Sequence, residues 1–236
     1  MKINQLHEWE VTPAKAQAIQ KGLRPWIMLE DQLTAINTFL RIHVRLSKTG
    51  QVSVRAILMN SDFQLLEHAS AEGQSPFKFQ PGLSAFCVAP FILSTVERLE
   101  GIPDLIVCDG HGIRSNSSFG VASHIGLLTN TPTIGVKALN KTLQPLMLED
   151  VPHPGDVLCQ SVDDDLVSAL VNVSERLPLI VVSPGHQIGL ESALKIVTEL
   201  KPQDENEKAL RLLCSHYLRA PVETQDEEDQ VIAEFV

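Results

Sequence analysis

The sequence predicts an α/β protein built on one mixed sheet with flanking helices, and three observations indicate this. Three strand-like segments joined by short turns come early in the chain, at residues 39–46, 52–59 and 63–69. Segments with helical and strand periodicity then alternate. The chain has 236 residues and 44% hydrophobic content, enough for one sizeable core. We therefore expect an antiparallel meander followed by parallel strands.

The first helix is predicted to begin after Thr12 and to run to about Lys21. Thr12 suits the N-cap and Pro13 the first helical position, and good helix formers follow. Pro25 interrupts this pattern, and residues 27–33 fit either a second short helix or a lead-in to the sheet. The alternation over residues 39–46, followed by the turn at residues 48–50, then predicts a β-hairpin.

The later elements are assigned from apolar periodicity between turn residues. We expect strands at residues 105–108, 133–136 and 179–183, and helices at residues 89–99, 122–128, 191–200 and 207–217. Residues 1–220 are expected to form a single domain. Residues 221–236 are expected to form an acidic, flexible tail.

Charge and cysteine usage limit the classes of function. The net charge is −10, and duplex binding depends on neutralising phosphates with Lys and Arg, so any nucleic-acid surface must be a local patch. The four cysteines form no Cys-x-x-Cys pair, which argues against a zinc site or a disulfide framework. With no signal-peptide pattern and no apolar run of membrane length, we expect a cytoplasmic, monomeric protein without membrane contact.

One carboxylate stands at the end of a short apolar run. Residues 105–108 are Leu-Ile-Val-Cys, and Asp109, Gly110, His111 and Gly112 follow. Such a run suits a buried central strand, whose carboxyl end is where open α/β sheets bind ligands. Glycines at 110 and 112 allow a substrate or a second backbone to come close. The alternative interpretation is that Asp-Gly is only a turn.

Several longer motifs occur in a recognisable order. Residues 81–86 read P-G-L-S-A-F, residues 103–112 read P-D-L-I-V-C-D-G-H-G, residues 120–124 read G-V-A-S-H, residues 132–136 read P-T-I-G-V, and Gly185-His186 follows. The chain resembles the endonuclease V family over roughly residues 5–200. That family cuts nucleic acid near deoxyinosine or inosine with Mg²⁺ on a ribonuclease H-like fold, and the resemblance implies that fold here.

The resemblance also implies a metal site that this sequence has largely lost. The family holds Mg²⁺ with an Asp on the first strand, a Glu after P-G-L and the Asp of D-G-x-G, since Mg²⁺ requires oxygen ligands. Only the last remains, as Asp109. Val88 stands at the position of the Glu, and His43, or Asn37 in another register, stands at that of the first Asp. Residues 32–61 contain no Asp or Glu.

The family's nucleic-acid contacts are altered as well. Phe79 stands at the position of the wedge tyrosine, an aromatic that can still stack on a base. Ser115-Asn116-Ser117 replaces H-P-R, and Lys137 is displaced by one residue, which turns a strand side chain to the opposite face. Arg114 is a candidate to compensate. The resemblance assigns nucleic-acid binding to the following residues: Phe79, Pro81, Gly82, Gly110, Gly112 and Lys137.

Three hypotheses about function follow. The preferred one is a non-catalytic homologue with weak affinity for inosine-containing DNA or RNA, no cofactor at the natural site, and Mg²⁺ or Mn²⁺ only if activity is retained. The second is an active nuclease in which Asp109, His43 and His186 hold a softer metal such as Mn²⁺ or Zn²⁺. His186 is otherwise a structural remnant, and His111 is a further candidate ligand. The third is a protein-interaction module that uses the acidic tail.

Overall fold

The centre of the molecule is a mixed sheet. The computed structural model describes residues 1–115, 118–139, 143–162, 165–175 and 178–199. Among these residues the sheet has eight strands, in the order β3-β2-β1-β4-β5-β8-β7-β6. The strands are β1 (Thr38–Leu46), β2 (Gln51–Asn60), β3 (Leu65–Gln74), β4 (Leu105–Asp109), β5 (Thr133–Ala138), β6 (Val157–Val162), β7 (Asp165–Val171) and β8 (Ile180–His186).

Strand direction divides the sheet into three parts. β1, β2 and β3 form the predicted antiparallel meander. β1, β4 and β5 are parallel. β8 then pairs with β5 in the antiparallel sense, and β7 and β6 continue that arrangement. The predicted mixed α/β sheet is therefore confirmed, but its parallel part is confined to three strands.

The β6–β7 hairpin was not predicted. Every residue of β6 is exposed, so its side chains show no alternation between a buried and a polar face. β7 is buried from Val167 onward, but its sequence is short and follows directly on two acidic residues. An edge strand without a buried face leaves little signal in local sequence.

The helices are α1 (Pro13–Leu23), α2 (Ser84–Val96), α3 (Val121–Thr129), α4 (Gln144–Met147) and α5 (Leu190–Glu199), and a 3₁₀ turn spans Arg24–Trp26. The predicted cap of α1 is confirmed, because the Thr12 side chain accepts a hydrogen bond from the Lys15 N–H at 3.3 Å. The predicted start of α2 at residue 89 is wrong: the helix begins at Ser84 and contains Pro90. Proline cannot donate a backbone hydrogen bond, and the burial of most of this helix offsets that loss.

Two hydrophobic clusters cover the two faces of the sheet. Leu40, Ile42, Ile106 and Cys108 belong to the cluster that includes α2 and α3 residues. The odd-numbered residues of the same two strands, Phe39, Leu105 and Val107, belong to the cluster that includes α5 residues. Because side chains alternate along a strand, the odd-numbered residues of β1 and β4 share the α5 face.

Two expectations lie outside the described residues, namely the helix at residues 207–217 and the acidic tail at residues 221–236. The extent of the single domain over residues 1–220 therefore stays a prediction. In the part of the chain that the structure describes, no helix is long and apolar enough to cross a membrane.

Candidate functional site

Asp109 lies at the carboxyl end of β4, next to β1. The parallel register pairs Ile42 with Cys108, so the next residues, His43 and Asp109, lie side by side. The His43 Nδ1 and Asp109 Oδ2 atoms are 3.4 Å apart. This register favours His43 over Asn37 as the first-strand position. Asn37 lies at the other end of β1, where its N–H donates to Asp104 Oδ2 at 2.8 Å.

A buried arginine occupies the centre of this site. Arg41 is fully buried, and its Nη2 donates to Asp109 Oδ1 in an ion pair. Its Nη1 donates to the carbonyl oxygens of Ile42 at 2.7 Å and Val107 at 3.1 Å. Arg41 therefore joins β1 to β4 through charge and backbone contacts together. Arg41 was not predicted as a site residue, although its two-residue spacing from His43 on a strand with a buried odd-numbered face was a usable signal.

Both carboxylate oxygens of Asp109 are engaged within the protein. Oδ1 accepts from Arg41, and Oδ2 accepts from the backbone N–H of Val44 at 3.1 Å. The carboxylate side chain is 18% exposed, whereas the Arg41 side chain is 1% exposed. Asp109 is thus held as the partner of an internal cation.

The protonation states follow from burial and from this cation. Burial opposes ionisation of Asp109, but the adjacent Arg41 and His43 lower the pKa of that carboxyl to about 2. Burial, reinforced by the positive charge of Arg41, lowers the pKa of His43. At neutral pH the site therefore contains one charged pair and a neutral imidazole. In the described part of the chain neither ring nitrogen of His43 has a partner with full hydrogen-bond geometry.

These donors do not fit Mg²⁺. The ion requires near-octahedral oxygen coordination, and the site supplies one carboxylate whose oxygens already accept hydrogen bonds. Val88, at the position where the family has a Glu, is 2% exposed and packs in the cluster that contains Ile42 and Cys108. By strand alternation that cluster covers the sheet face opposite to the side chain of Asp109. The residues present therefore do not supply the oxygen ligands that Mg²⁺ requires.

His186 does not join this site. It pairs with Thr133 at the amino end of β5, whereas Asp109 pairs with Val136, three residues further along. Strand geometry puts His186 about 10 Å from Asp109 along the strands and about 10 Å across them. This separation speaks against a metal shared by Asp109, His43 and His186. The physical reason is the antiparallel direction of β8, which carries its last residue away from the carboxyl end of β4.

Lys137, on β5, and His111, in the loop after β4, lie outside the cluster of Arg41, His43 and Asp109. Ile134 and Val136 of β5 share a cluster with Val107, so Lys137 projects to the opposite face of the sheet from Asp109. Burial, with the positive charges of Lys137 and Arg114, lowers the pKa of His111 to about 3. Lys137 thus acts electrostatically on the loop after β4.

The motif glycines serve different purposes. Gly110 has φ of 119°, which favours glycine. At Gly112 a Cβ would collide with the Pro184 carbonyl, so a second backbone fills the space considered for a substrate. Gly82 has φ of 80° and open space beside it, and its carbonyl accepts from Gln20 Nε2 at 2.9 Å. Exposed Pro81 and half-buried Phe79 lie in the same β3–α2 connection.

Comparisons with known proteins agree with this architecture. A sequence model of the endonuclease V family matches residues 31–211. The endonuclease V of Trichormus variabilis is 30% identical over 206 residues, which cover 86% of this chain and 92% of that protein.

Solved structures give the same result. The endonuclease V of Streptomyces avermitilis superposes with a TM-score of 0.72 at 27% identity, covering 89% of this chain and 93% of that one. The Ciona intestinalis enzyme, in complex with a 24mer DNA containing an inosine followed by a ribo-adenosine, gives 0.64 at 22% identity, covering 78% and 87%. The chain, with its mixed sheet and its internally paired Asp109, belongs to the endonuclease V family.

Proposed function

We propose that this protein is a non-cleaving endonuclease V homologue in which the Arg41 guanidinium takes the role of the metal cation. One observation carries the proposal, namely the buried ion pair between Arg41 and Asp109. A guanidinium remains charged at every physiological pH, so the pair persists wherever the protein is folded. Asp109 retains its negative charge, but that charge stabilises the fold.

Energetics support this reading. A divalent ion would have to take Asp109 Oδ1 from Arg41, which is fully buried. Separating a buried pair leaves an uncompensated charge, at a cost of about 3–5 kcal/mol. Neutral His43 and buried Val88 supply no carboxylate to repay that cost. Metal binding is therefore opposed by the lack of further carboxylate ligands and by competition from Arg41 for Asp109.

We propose further that the chain keeps weak affinity for inosine-containing DNA or RNA. The Ciona relative carries such a DNA, and the open space at Gly82 and the aromatic ring of Phe79 are compatible with a similar ligand. The net charge of −10 opposes binding to phosphates. The Ser115 hydroxyl lies 2.8 Å from the Ser118 hydroxyl, so Ser115 is engaged within its own turn. Asn116 and Ser117 lie outside the described residues.

A cleavage assay tests the first part. The protein is incubated with inosine-containing single-stranded DNA and RNA, with Mg²⁺ or Mn²⁺, beside an active family member as the positive control. We expect no cleavage above that of a protein-free control. Cleavage that disappears in Asp109→Asn, with a variant that remains folded, would contradict the proposal.

Binding is tested separately at low salt. A gel-shift titration compares an inosine-containing oligonucleotide with the same oligonucleotide carrying adenosine. We expect weak binding that favours inosine and weakens as salt increases, because phosphate contacts are electrostatic. Equal binding of the two oligonucleotides would contradict the proposal that inosine is recognised. The third hypothesis, a protein-interaction module, would then be tested with the full chain.

A further inference from the structure

β6 is the outermost strand on one side of the sheet. The strand order ends with it, and its residues pair with β7 from Val157 opposite Val171 to Val162 opposite Asp165. Within the described residues no strand lies on its other side, and every residue of β6 is exposed. One row of backbone N–H and C=O groups is therefore left to water. Such a row is a template on which a further strand can form.

β6 lacks the features with which sheet edges are usually protected. Its sequence, V-L-C-Q-S-V, contains no charged residue and no proline. The pairing register shifts between Gln160 and Ser161, so the regular part of the edge is formed by residues 157–160. A partner strand can pair with this part without meeting a charged side chain.

The opposite edge of the sheet is protected. β3 carries Glu67, His68 and Glu72, and α2 packs against it. The Glu67 carboxylate accepts hydrogen bonds from the backbone N–H groups of Glu100 at 2.8 Å and Gly101 at 2.9 Å, so the chain that follows α2 is tied to this edge. The contrast with β3 identifies β6 as the edge that is open to a partner.

Apolar side chains beside the β6 edge are exposed. Leu158 lies opposite Leu170 and therefore on the same face of the sheet. Leu170 belongs to a buried cluster against which Met147 of α4 packs, and the neighbouring Leu146 and Leu148 are 64% and 42% exposed. Leu158 itself is 39% exposed. The buried cluster thus continues into exposed leucines, on which the side chains of an added strand can pack.

The edge has acidic residues at both ends. Residues 142–175 contain no Lys or Arg. Asp156 precedes β6, and the three aspartates at residues 163–165 follow it. Asp165 lies within electrostatic reach of Arg24, which compensates one of these charges. β6 is therefore a neutral, largely apolar stretch with negative charge at its two ends.

This charge pattern selects among the possible occupants of the edge. In an antiparallel pair of two β6 strands, Asp156 of one copy would lie near residues 163–165 of the other, and like charges opposite each other are destabilising. Residues 231–236 of the same chain, V-I-A-E-F-V, follow the acidic run at residues 223–229 and would meet the same repulsion. A strand with positive charges at its ends is attracted instead.

We propose that the β6 edge binds an extended segment of another protein, apolar at its centre and flanked by Lys or Arg, which adds a strand beside β6. Backbone hydrogen bonds to residues 157–160 supply the affinity, and alternate side chains contact the exposed leucines. The basic ends fix the register against Asp156 and residues 163–165. β6 lies four strands from β4, about 19 Å across the sheet, so this surface is independent of the pair formed by Arg41 and Asp109.

Fluorescence anisotropy with a labelled peptide tests binding by the full-length protein. The probe is K-K-V-T-V-T-V-K-K, and the control peptide has glutamate in place of each lysine. We expect saturable, micromolar binding of the lysine peptide and at least about tenfold weaker binding of the glutamate peptide. Absence of saturation with millimolar lysine peptide, or equal affinity of the two peptides, would overturn the proposal.

Backbone methylation separates strand addition from simple charge attraction. Two further peptides carry N-methyl groups, one on its valines and the other on its threonines. Because successive N–H groups of a strand point to opposite sides, one set of methyl groups faces β6 and the other faces away. We expect one peptide to lose binding and the other to keep it. Equal affinity of the two methylated peptides would show that no strand is added.

Leu158→Lys tests the surface, because it places a positive charge at the centre of the edge. The matched control is Leu65→Lys on β3, which makes the same change at a side chain 59% exposed on the opposite edge. We expect Leu158→Lys to weaken binding of the lysine peptide by at least about tenfold and Leu65→Lys to leave it unchanged. The same affinity in both variants would contradict the site.

Two further measurements test the other occupants. Asp163→Asn/Asp164→Asn should weaken binding of the lysine peptide, whereas Glu227→Gln/Glu228→Gln, the same change of charge in the acidic tail, should not. The reverse result would assign the peptide to the tail and overturn the proposal. Light scattering should show a monomer. A dimer that Leu158→Lys disperses and Leu65→Lys does not would assign the edge to a second copy of the chain, and would also overturn it.

Discussion

The two ends of the central parallel strands present opposite kinds of site. At the carboxyl end of β4, Asp109 is charged, but Arg41 and the Val44 N–H engage both its oxygens. At the amino end of β5, the His186 imidazole is neutral, and among the described residues no partner is found for His186 Nε2 or for the neighbouring Asn130 Nδ2. The comparison shows that a charged group inside a fold is not thereby available to a ligand. Availability depends on which hydrogen bonds the protein has already made.

The largest effect is expected from breaking the Arg41–Asp109 ion pair at the carboxyl end of β4. Arg41→Met or Asp109→Leu alone leaves one buried charge unpaired and should lower the free energy of unfolding by about 3–5 kcal/mol. The double variant Arg41→Met/Asp109→Leu removes both charges and should regain most of that loss. Urea denaturation of the four proteins measures this coupling. Losses in the double variant equal to the sum of the single losses would mean that the two side chains do not act as a pair.

His186, at the amino end of β5, should titrate at acidic pH and change the stability of the protein. The folded-state pKa of His186 is lowered to about 4 from 6.5, so the unfolded chain binds its proton first as pH falls. The resulting stability is complete above pH 6.5 and is lost as pH falls toward 4, by about 2–3 kcal/mol. His186→Phe should remove this share of the pH dependence. Stability curves of the two proteins that stay parallel across this window would contradict the prediction.

Asp109, at the carboxyl end of β4, should titrate at lower pH than His186. The pKa of Asp109 is lowered from 3.8 to about 2, so its stabilisation is present above pH 3.8 and is lost as pH falls toward 2. The expected loss is about 2 kcal/mol. The Asp109 carboxyl signal, followed by NMR against pH, checks this directly. A midpoint at or above pH 3.8 would show that Arg41 does not hold the charge.

The smallest expected effect concerns metal affinity. His43→Asp with Val88→Glu adds two carboxylates, of which only the one at residue 43 lies beside Asp109, and Arg41 still occupies Asp109, so we expect no Mg²⁺ binding at millimolar concentration by calorimetry. Adding Arg41→Ala should raise the affinity by at least about tenfold, or 1.4 kcal/mol. Circular dichroism first establishes that each variant is folded, since Val88 is buried. Tight Mg²⁺ binding by the double variant would mean that Arg41 is no obstacle.

Local sequence predicted much of the fold because several elements carry local signals. Thr12-Pro13 specifies the start of α1, and alternation specifies the β1–β2 hairpin. The β6–β7 hairpin lacked such a signal because β6 is exposed throughout. The position of α2 was misjudged because Pro90 resembles a helix start when the burial of its preceding turn is unknown.

The site was predictable only in part. The register of β1 against β4 follows from ordinary strand pairing, so His43 was expected beside Asp109. Arg41 was missed because an arginine in a strand is usually exposed, and its partner is 68 residues away. The position of His186 beside Thr133 could not be predicted, because the direction of β8 depends on a pairing that its own sequence does not encode. In each case the missing information was a contact between distant segments.

Gly112, Gly135 and Gly185 bring three backbone segments together, and a Cβ at any of them would collide with a neighbouring main chain. Selection for folding alone would therefore retain these glycines in a gene whose product had stopped cutting nucleic acid. A motif glycine at these positions reflects backbone packing, whereas Arg41, Val88 and His43 are the residues on which the proposed loss of cleavage depends. A classification of sequences by these motif glycines would group this chain with active nucleases. A classification by the β1 residues that face Asp109 would not.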